Sequence, residues 1–583
     1  MTITPIREPT TLLGPQVLDL PHWDEPRTVR RLGRRPAIRE IGVLAIVALA
    51  GYIASAYWMR YGLHYWINDA INRTDDALYS TVGRDPHLGA IGFYWPPLPQ
   101  LLQLPLVPLF QPFGAAIMAG PVSSAICMAA VIPVLGQLGR RLGLGRPTTF
   151  LICASFAINP DIIYTASNGM SEACFLLSGA VTLLGFLTYI QTRSTTDLLI
   201  FSLGLSGAVM TRLEGPILVV AMVVIATFSL RRWRSGLWHT VLIAAPPFAL
   251  FTFWIIVQWV LLKDPLFFLH QNGGSGPKSG TATWLPNTVI DKWLVVPWAL
   301  GWVAVLGPVL FVLVASLIVR PFSGRNRGTL GILAGIGVFL AIQMYTVAFT
   351  DGFGDPRYFV MTILFATVGA LWLASARDGI IAGSWNLALA AALVVAGGTG
   401  SYALTSGRIT HVEGECSYFQ YGVAHFLPFL GRPQVGKYAC SRPGDGLAPW
   451  ASADHWIDTH LTSGDRVLAD NASNYAASLF TTRPKLFVVR NDRDWQKTVA
   501  KPTNITYIMT QSSSPTGLPD TAASYATDQG ADLIRLDPEG WHLVRSFGNA
   551  ENVVHQLTYV QIWHFVPNSG GGPRPTGTES SIS

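Results

Sequence analysis

The chain has 583 residues, of which 50% are hydrophobic and only 13% charged, with a formal net charge of +6. Soluble domains carry about 25% charged residues, so this composition excludes an ordinary soluble protein and points to a polytopic membrane protein with an added module. The positive charge sits in short clusters between apolar runs, which excludes a nucleic-acid footprint.

Residues 1–40 are polar and proline-rich and end in "PRTVRRLGRRPAIRE". They show no cleavable signal and predict a cytoplasmic tail leading into a signal-anchor helix. Eleven apolar runs follow, at 41–59, 114–138, 148–165, 172–190, 198–211, 215–230, 238–262, 292–319, 329–349, 358–376 and 384–404. A hydrocarbon core takes about 20 apolar residues per helix. The predicted fold is therefore a polytopic α-helical membrane domain, 41–404, with about eleven transmembrane helices. Arginine clusters at Arg27 to Arg39, Arg140–Arg146, Arg231–Arg234 and Arg320–Arg327 fall on one side, which the positive-inside rule makes the cytoplasm. The N-terminus is then inside and the C-terminus outside.

The first outer loop, 60–113, opens with "NDAINRTDDALYSTVGRD" and continues into "WPPLPQLLQLPLVPLFQP". Six prolines in the second stretch are too many for a regular span, so 97–112 predicts a re-entrant or interfacial segment. Two short runs broken by "TRLEGP" predict helices that meet at a turn on the outer side. From about 405 the composition turns polar. "RVLAD", "KLFVVR" and "ITYIMT" predict strands, and "WASADHWIDTHL" predicts a helix opening behind Ser452. Residues 405–565 thus form an expected extracytoplasmic α/β domain, and 566–583 a Gly/Pro/Ser-rich disordered tail. Cys127, Cys153 and Cys174 lie in or beside apolar runs as small core residues, whereas Cys416 and Cys440 are candidates for a disulfide if their region is outside the cytoplasm.

In this topology charged residues from separate pieces of chain collect at one membrane surface. They are Asp75 and Asp76, Glu172, Arg212 and Glu214, His270 and Lys278, and Arg357 beside Tyr358. Ionisable groups near a bilayer need pairing or water, which makes them functional candidates. Asp75 and Asp76 suit a general base for a hydroxyl, a shared divalent metal such as Mg or Mn, or a plain solvated loop. The arginines suit an anionic leaving group such as a phosphate, and Arg357 equally suits an interfacial anchor. Trp450, Trp456 and Tyr475 offer stacking surfaces or core packing, and His455 with His460 make a weak metal pair.

"TDDALY" resembles the D-[DE]-A-x-Y pattern in the first outer loop of the GT-C superfamily of membrane glycosyltransferases. "YWPPLPQLL", "NPDIIYTASNGMSEA", "GLSGAVMTRLEGPILVV" and "DPRYFVMTILFATVGAL" resemble further segments of that superfamily, in order, over roughly 41–376. The resemblance implies an inverting transferase fed by a polyprenyl-phosphate sugar. Asp75 takes the place of the catalytic carboxylate and Asp76 the adjoining one. Glu172 matches the acidic residue at the floor of the site, and Arg212, Glu214 and Arg357 match positions that shape the donor pocket. The glycine-rich loop at 271–280 is expected to cover the donor. The arginine excess, 33 against 7 lysines, fits a GC-rich, actinobacterial genome. That source favours arabinofuranose or mannose as the sugar and an envelope polysaccharide or glycolipid as acceptor. The competing expectation is a transporter or flippase of a lipid-linked saccharide. Transporters place polar groups near the bilayer midplane, unlike the charges here.

Overall fold

A computed structural model describes residues 38–65, 67–229, 233–274, 293–319, 326–349, 356–375, 380–405, 418–419, 447–472, 474, 476–519, 528–548 and 559–566. Among them, seven helices are long and apolar enough to cross a membrane, or up to nine if each of two bent pairs is one span. Two shorter apolar helices, Thr195–Val209 and Gly215–Thr227, complete the set. Each apolar run predicted from the sequence falls on one of these elements, and the protein is a multi-pass membrane protein.

The run at 148–165 breaks at Asn159–Pro160 into Arg146–Ala157 and Pro160–Ser167, bent by 60°. Proline cannot donate to the preceding turn, and Asn159 caps the new helix by accepting the Asp161 N–H at 2.9 Å. The run at 292–319 was expected as one span; it divides at Gly307–Pro308 into Val295–Leu306 and Val309–Val319, bent by 100°. The proline-rich stretch folds into Leu98–Gln103 and Val107–Phe110, with a short 3₁₀ turn after them. A six-residue helix spans about 9 Å, so this segment does not cross.

Small residues set the helix spacing. A Cβ at Gly185 would lie 2.2 Å from the Phe201 backbone nitrogen, so the Glu172–Thr192 and Thr195–Val209 helices touch backbone to backbone there. Gly185→Ala is expected to destabilise the membrane domain by about 1–3 kcal/mol through overpacking, read as a lower unfolding temperature in detergent.

The C-terminal module is α/β. Its strands are β1 (Val467–Ala469), β2 (Phe487–Val488), β3 (Tyr507–Ser512), β4 (Trp541–Gly548) and β5 (Tyr559–Phe565), in the spatial order β2-β1-β3-β5-β4. β1 pairs in parallel with both β2 and β3, with Val467 opposite Phe487 and Tyr507, and β5 runs antiparallel to β3 and β4. The carboxyl end of β1 is thus a topological switch point, the place where open α/β sheets present functional side chains. The predicted helix starts at Ala448, earlier than Ser452, because Pro449 is tolerated in a first turn. Trp450 and Trp456 pack into the module's apolar cluster, the second also stacking on His460.

The module is not a tethered appendage. One apolar cluster joins Ile71, Leu78 and Val107 of the first loop to Trp450, Ile457 and Phe487 of the module. Around it, Arg84 donates to Asp492 at 3.0 Å and to Asp494 at 3.1 Å, and Arg493 pairs with Asp85, whose Oδ2 also accepts the Arg493 N–H at 3.0 Å. Tyr79 Oη lies 2.8 Å from Ser478 Oγ.

Cys127, Cys153 and Cys174 are buried thiols. Cys416, Cys440, Lys278, Tyr475 and most of the glycine-rich loop lie outside the described residues.

Candidate active site

The site is organised by one helix, Asn68–Thr81, in the first loop. At about 100° per residue, Asp69, Arg73 and Asp76 share a stripe along it, while Asp75 and Tyr79 face a different direction. Asp69 and Arg73 look onto the membrane domain and the loop before it, whereas Asp75, Asp76 and Tyr79 reach the module.

On the stripe, Asp69 Oδ2 lies 3.7 Å from Arg357 Nη2. Arg73 is buried, its guanidinium 4.5 Å from the centre of the Trp95 ring and its Nη1 3.9 Å from Met170 Sδ. The charges of Asp69 and Glu172 act on it favourably and those of Arg212 and Arg357 unfavourably, so all five groups sit within electrostatic reach. Glu172 opens its helix and accepts from Arg212 Nη1 at 2.7 Å. Arg212, in the turn between the two short apolar helices, sends its other edge to both Glu214 oxygens, at 2.9 and 3.2 Å. This two-sided clamp holds the guanidinium plane rigid. Gln343 donates to Glu214 Oε1 at 3.4 Å. The Tyr358 ring lies between two cations, 5.2 Å from Arg212 Cζ and 5.0 Å from Arg357 Cζ.

The structure therefore brings Glu172, Arg212, Glu214, Arg357 and Tyr358 into one cluster and adds Asp69 and Arg73, which the sequence reading had not assigned to it. Buried atoms at its rim are left over: Glu172 Oε2 and Arg73 Nε have no hydrogen-bond partner among the described residues. Buried polar atoms are nearly always paired, so such orphans mark a place for a polar ligand. His270 is not part of this arrangement. It is exposed and its Nδ1 lies 2.7 Å from Asp264 Oδ2.

Asp75 and Asp76 form a second group. Asp75 Oδ2 accepts from Asn471 Nδ2 at 2.8 Å, and Asp75 Oδ1, also buried, has no partner among the described residues. Asp76 Oδ1 accepts from Asn491 Nδ2 at 3.1 Å. Asp76 Oδ2 packs against Gly92, where a Cβ would come within 2.3 Å of it; the φ of +65° there also demands glycine. Burial raises Asp75 well above the usual carboxylate range, with the charge of Asp76 adding to it and the Asn471 donor opposing. Burial likewise pushes Asp76 up to about 8, against the Asn491 donor and the charge of Arg73. Asp75 and Glu172 with Arg357 thus belong to neighbouring groups linked through Arg73 and Asp76.

Among the described residues no group of three or more His, Cys, Asp or Glu side chains is placed to hold a metal ion, and Asp75 Oδ2 and Asp76 Oδ1 each accept an amide N–H.

No protein-family model matches the chain, and no curated protein matches it in sequence. In structure, it is similar to ArnT from Cupriavidus metallidurans bound to undecaprenyl phosphate, with a TM-score of 0.51 at 13% identity over 90% of this chain and 98% of ArnT. The apo state of ArnT aligns over the same shares with a TM-score of 0.48. The arabinofuranosyltransferase AftD from Mycobacteria aligns with a TM-score of 0.44 at 17% identity, over 92% of this chain and 42% of AftD. The likeness to ArnT shows that this multi-pass membrane protein shares the ArnT fold.

Proposed function

We propose that the protein is an inverting glycosyltransferase that moves a sugar from a polyprenyl phosphate to a hydroxyl of a cell-envelope glycan or glycolipid, on the outer face of the membrane. The observation that supports this most is the convergence of Arg212 and Arg357 on Arg73, in the helix that also carries Asp75 and Asp76. Three guanidiniums next to lipid suit a phosphate held at the bilayer surface, and ArnT, which shares the fold, binds undecaprenyl phosphate.

The step follows from the side chains. Arg73 and Arg357 receive the phosphate, and Arg212, fixed by Glu172 and Glu214, adds a charge that cannot swing away. Glu172 Oε2 accepts a sugar hydroxyl. Asp75 takes the proton from the acceptor hydroxyl at its unpartnered Oδ1. The acceptor oxygen then bonds the anomeric carbon as the bond from that carbon to the phosphate oxygen breaks. Polyprenyl phosphate leaves with the electron pair. Fixed cations stabilise that developing anion more than the ground state, which lowers the barrier. Asp76, packed against Gly92, orients the helix end and acts electrostatically. The sugar is arabinofuranose or mannose.

Purified protein tested against a panel of polyprenyl-phosphate sugars should form a covalent glycoside with an arabinosyl or mannosyl donor and release polyprenyl phosphate. Movement of the donor across liposomes with no covalent product would replace this reading with transport.

A further inference from the structure

We propose that Asn471 and Asn491 of the C-terminal module are positioning residues that hold the Asp75–Asp76 pair, one amide N–H to each carboxylate, so that the module completes the catalytic centre. This rests on the transferase reading of that pair.

The two amides form a relay with both orientations fixed. Asn471 Oδ1 accepts the Arg490 backbone N–H at 3.1 Å, which leaves its Nδ2 to donate to Asp75 Oδ2 at 2.8 Å and to Asn491 Oδ1 at 2.9 Å. Asn491, its oxygen occupied, donates to Asp76 Oδ1 at 3.1 Å and to the Ala90 carbonyl at 2.7 Å. Asn471 follows β1 and Asn491 follows β2, so the relay sits at the switch point of the sheet. Gripping Oδ2 of Asp75 leaves Oδ1 as the oxygen for a substrate. A donor on a carboxylate also favours its ionised form, against the burial that disfavours it. The other groups facing Asp75 are Asp76, Tyr79 and Asp454; those facing Asp76 are Arg73 and the Tyr94 hydroxyl, with Arg490 and Asp470 beyond it. Of these, Tyr79 also acts on Asp75 as a hydrogen-bond donor, in the same direction as Asn471.

Asn471→Ala and Asn491→Ala test this in the full-length protein. Each should move the pH–rate profile upward by about one unit, with about a tenfold loss at neutral pH that alkaline buffer restores, while undecaprenyl phosphate binding stays as in the wild type. Asp75→Asn should not recover at any pH. An infrared titration gives a readout independent of turnover: the protonated-carboxyl band that Asp75→Asn removes should persist to higher pH in Asn471→Ala. Should the alanine variant fail to fold, Asn471→Ser carries the same titration. An unchanged pH profile and band would overturn the inference, as would a uniform loss at every pH with weakened lipid binding, which marks packing alone. Full turnover by Asp75→Asn would instead remove Asp75 as the base and leave the infrared arm to judge the amide relay, whereas donor movement with no covalent product would defeat the transferase reading.

Discussion

Asp75→Asn is expected to lower turnover by about 10²–10⁴-fold while the protein stays folded and still binds polyprenyl phosphate. The amide is isosteric, so Asn471 keeps a partner oxygen at the same place. What is lost is the acceptor of the hydroxyl proton. Binding of the lipid phosphate, proposed to fall to Arg73, Arg212 and Arg357, should stay within a small factor of the wild type. The wild-type rate should itself climb with pH. Burial holds the proton on Asp75 well above the usual carboxylate range, so the basic form appears only as the pH rises. Burial pushes Asp76 up to about 8 and its charge acts on Asp75, so the limb of the profile reports the pair. Turnover of Asp75→Asn at the wild-type rate would remove the base from the mechanism.

The second large effect is at Arg212. Its guanidinium satisfies Glu172 on one edge and Glu214 on the other. Arg212→Leu strands the buried Glu172 carboxylate and the partly buried Glu214, and breaking a buried pair in this way costs about 3–5 kcal/mol. The expected result is a marked fall in the unfolding temperature together with loss of undecaprenyl phosphate binding. Glu172→Gln and Glu214→Gln placed on top of Arg212→Leu should restore much of the stability but none of the binding. That split separates the structural duty of the clamp from its proposed role at the phosphate. Restored binding in the triple variant would show that Arg212 acts only as a strut.

The membrane helices were legible because apolar runs of about 20 residues have few other fates. The breaks at Asn159–Pro160 and Gly307–Pro308 fall at prolines, the residue type that also ruled out a span at 97–112, but a bend angle depends on neighbours that the local sequence does not name. In the site, Arg212 and Glu214 stood out as charges inside an apolar stretch. Arg73 did not, although its i, i+4 spacing from Asp69 was a readable clue. Asn471 and Asn491 left no local signal. They sit just past short buried strands, where Asn is an ordinary turn residue, and the carboxylates they meet are 396 and 415 positions away. β4 and β5 were missed for another reason. β4 is mostly exposed, so its residues follow no clean alternation.

The apolar cluster joining the first loop to the module has a consequence for the order of events as the chain is made. The loop that bears Asp75 precedes nearly all the membrane helices, and the residues that cover it come after the last of them. During synthesis Ile71, Leu78 and the two carboxylates wait without their coverings until the final segment arrives. Assembly of the proposed centre therefore waits on the C-terminal module, and a chain without it leaves both acids uncovered.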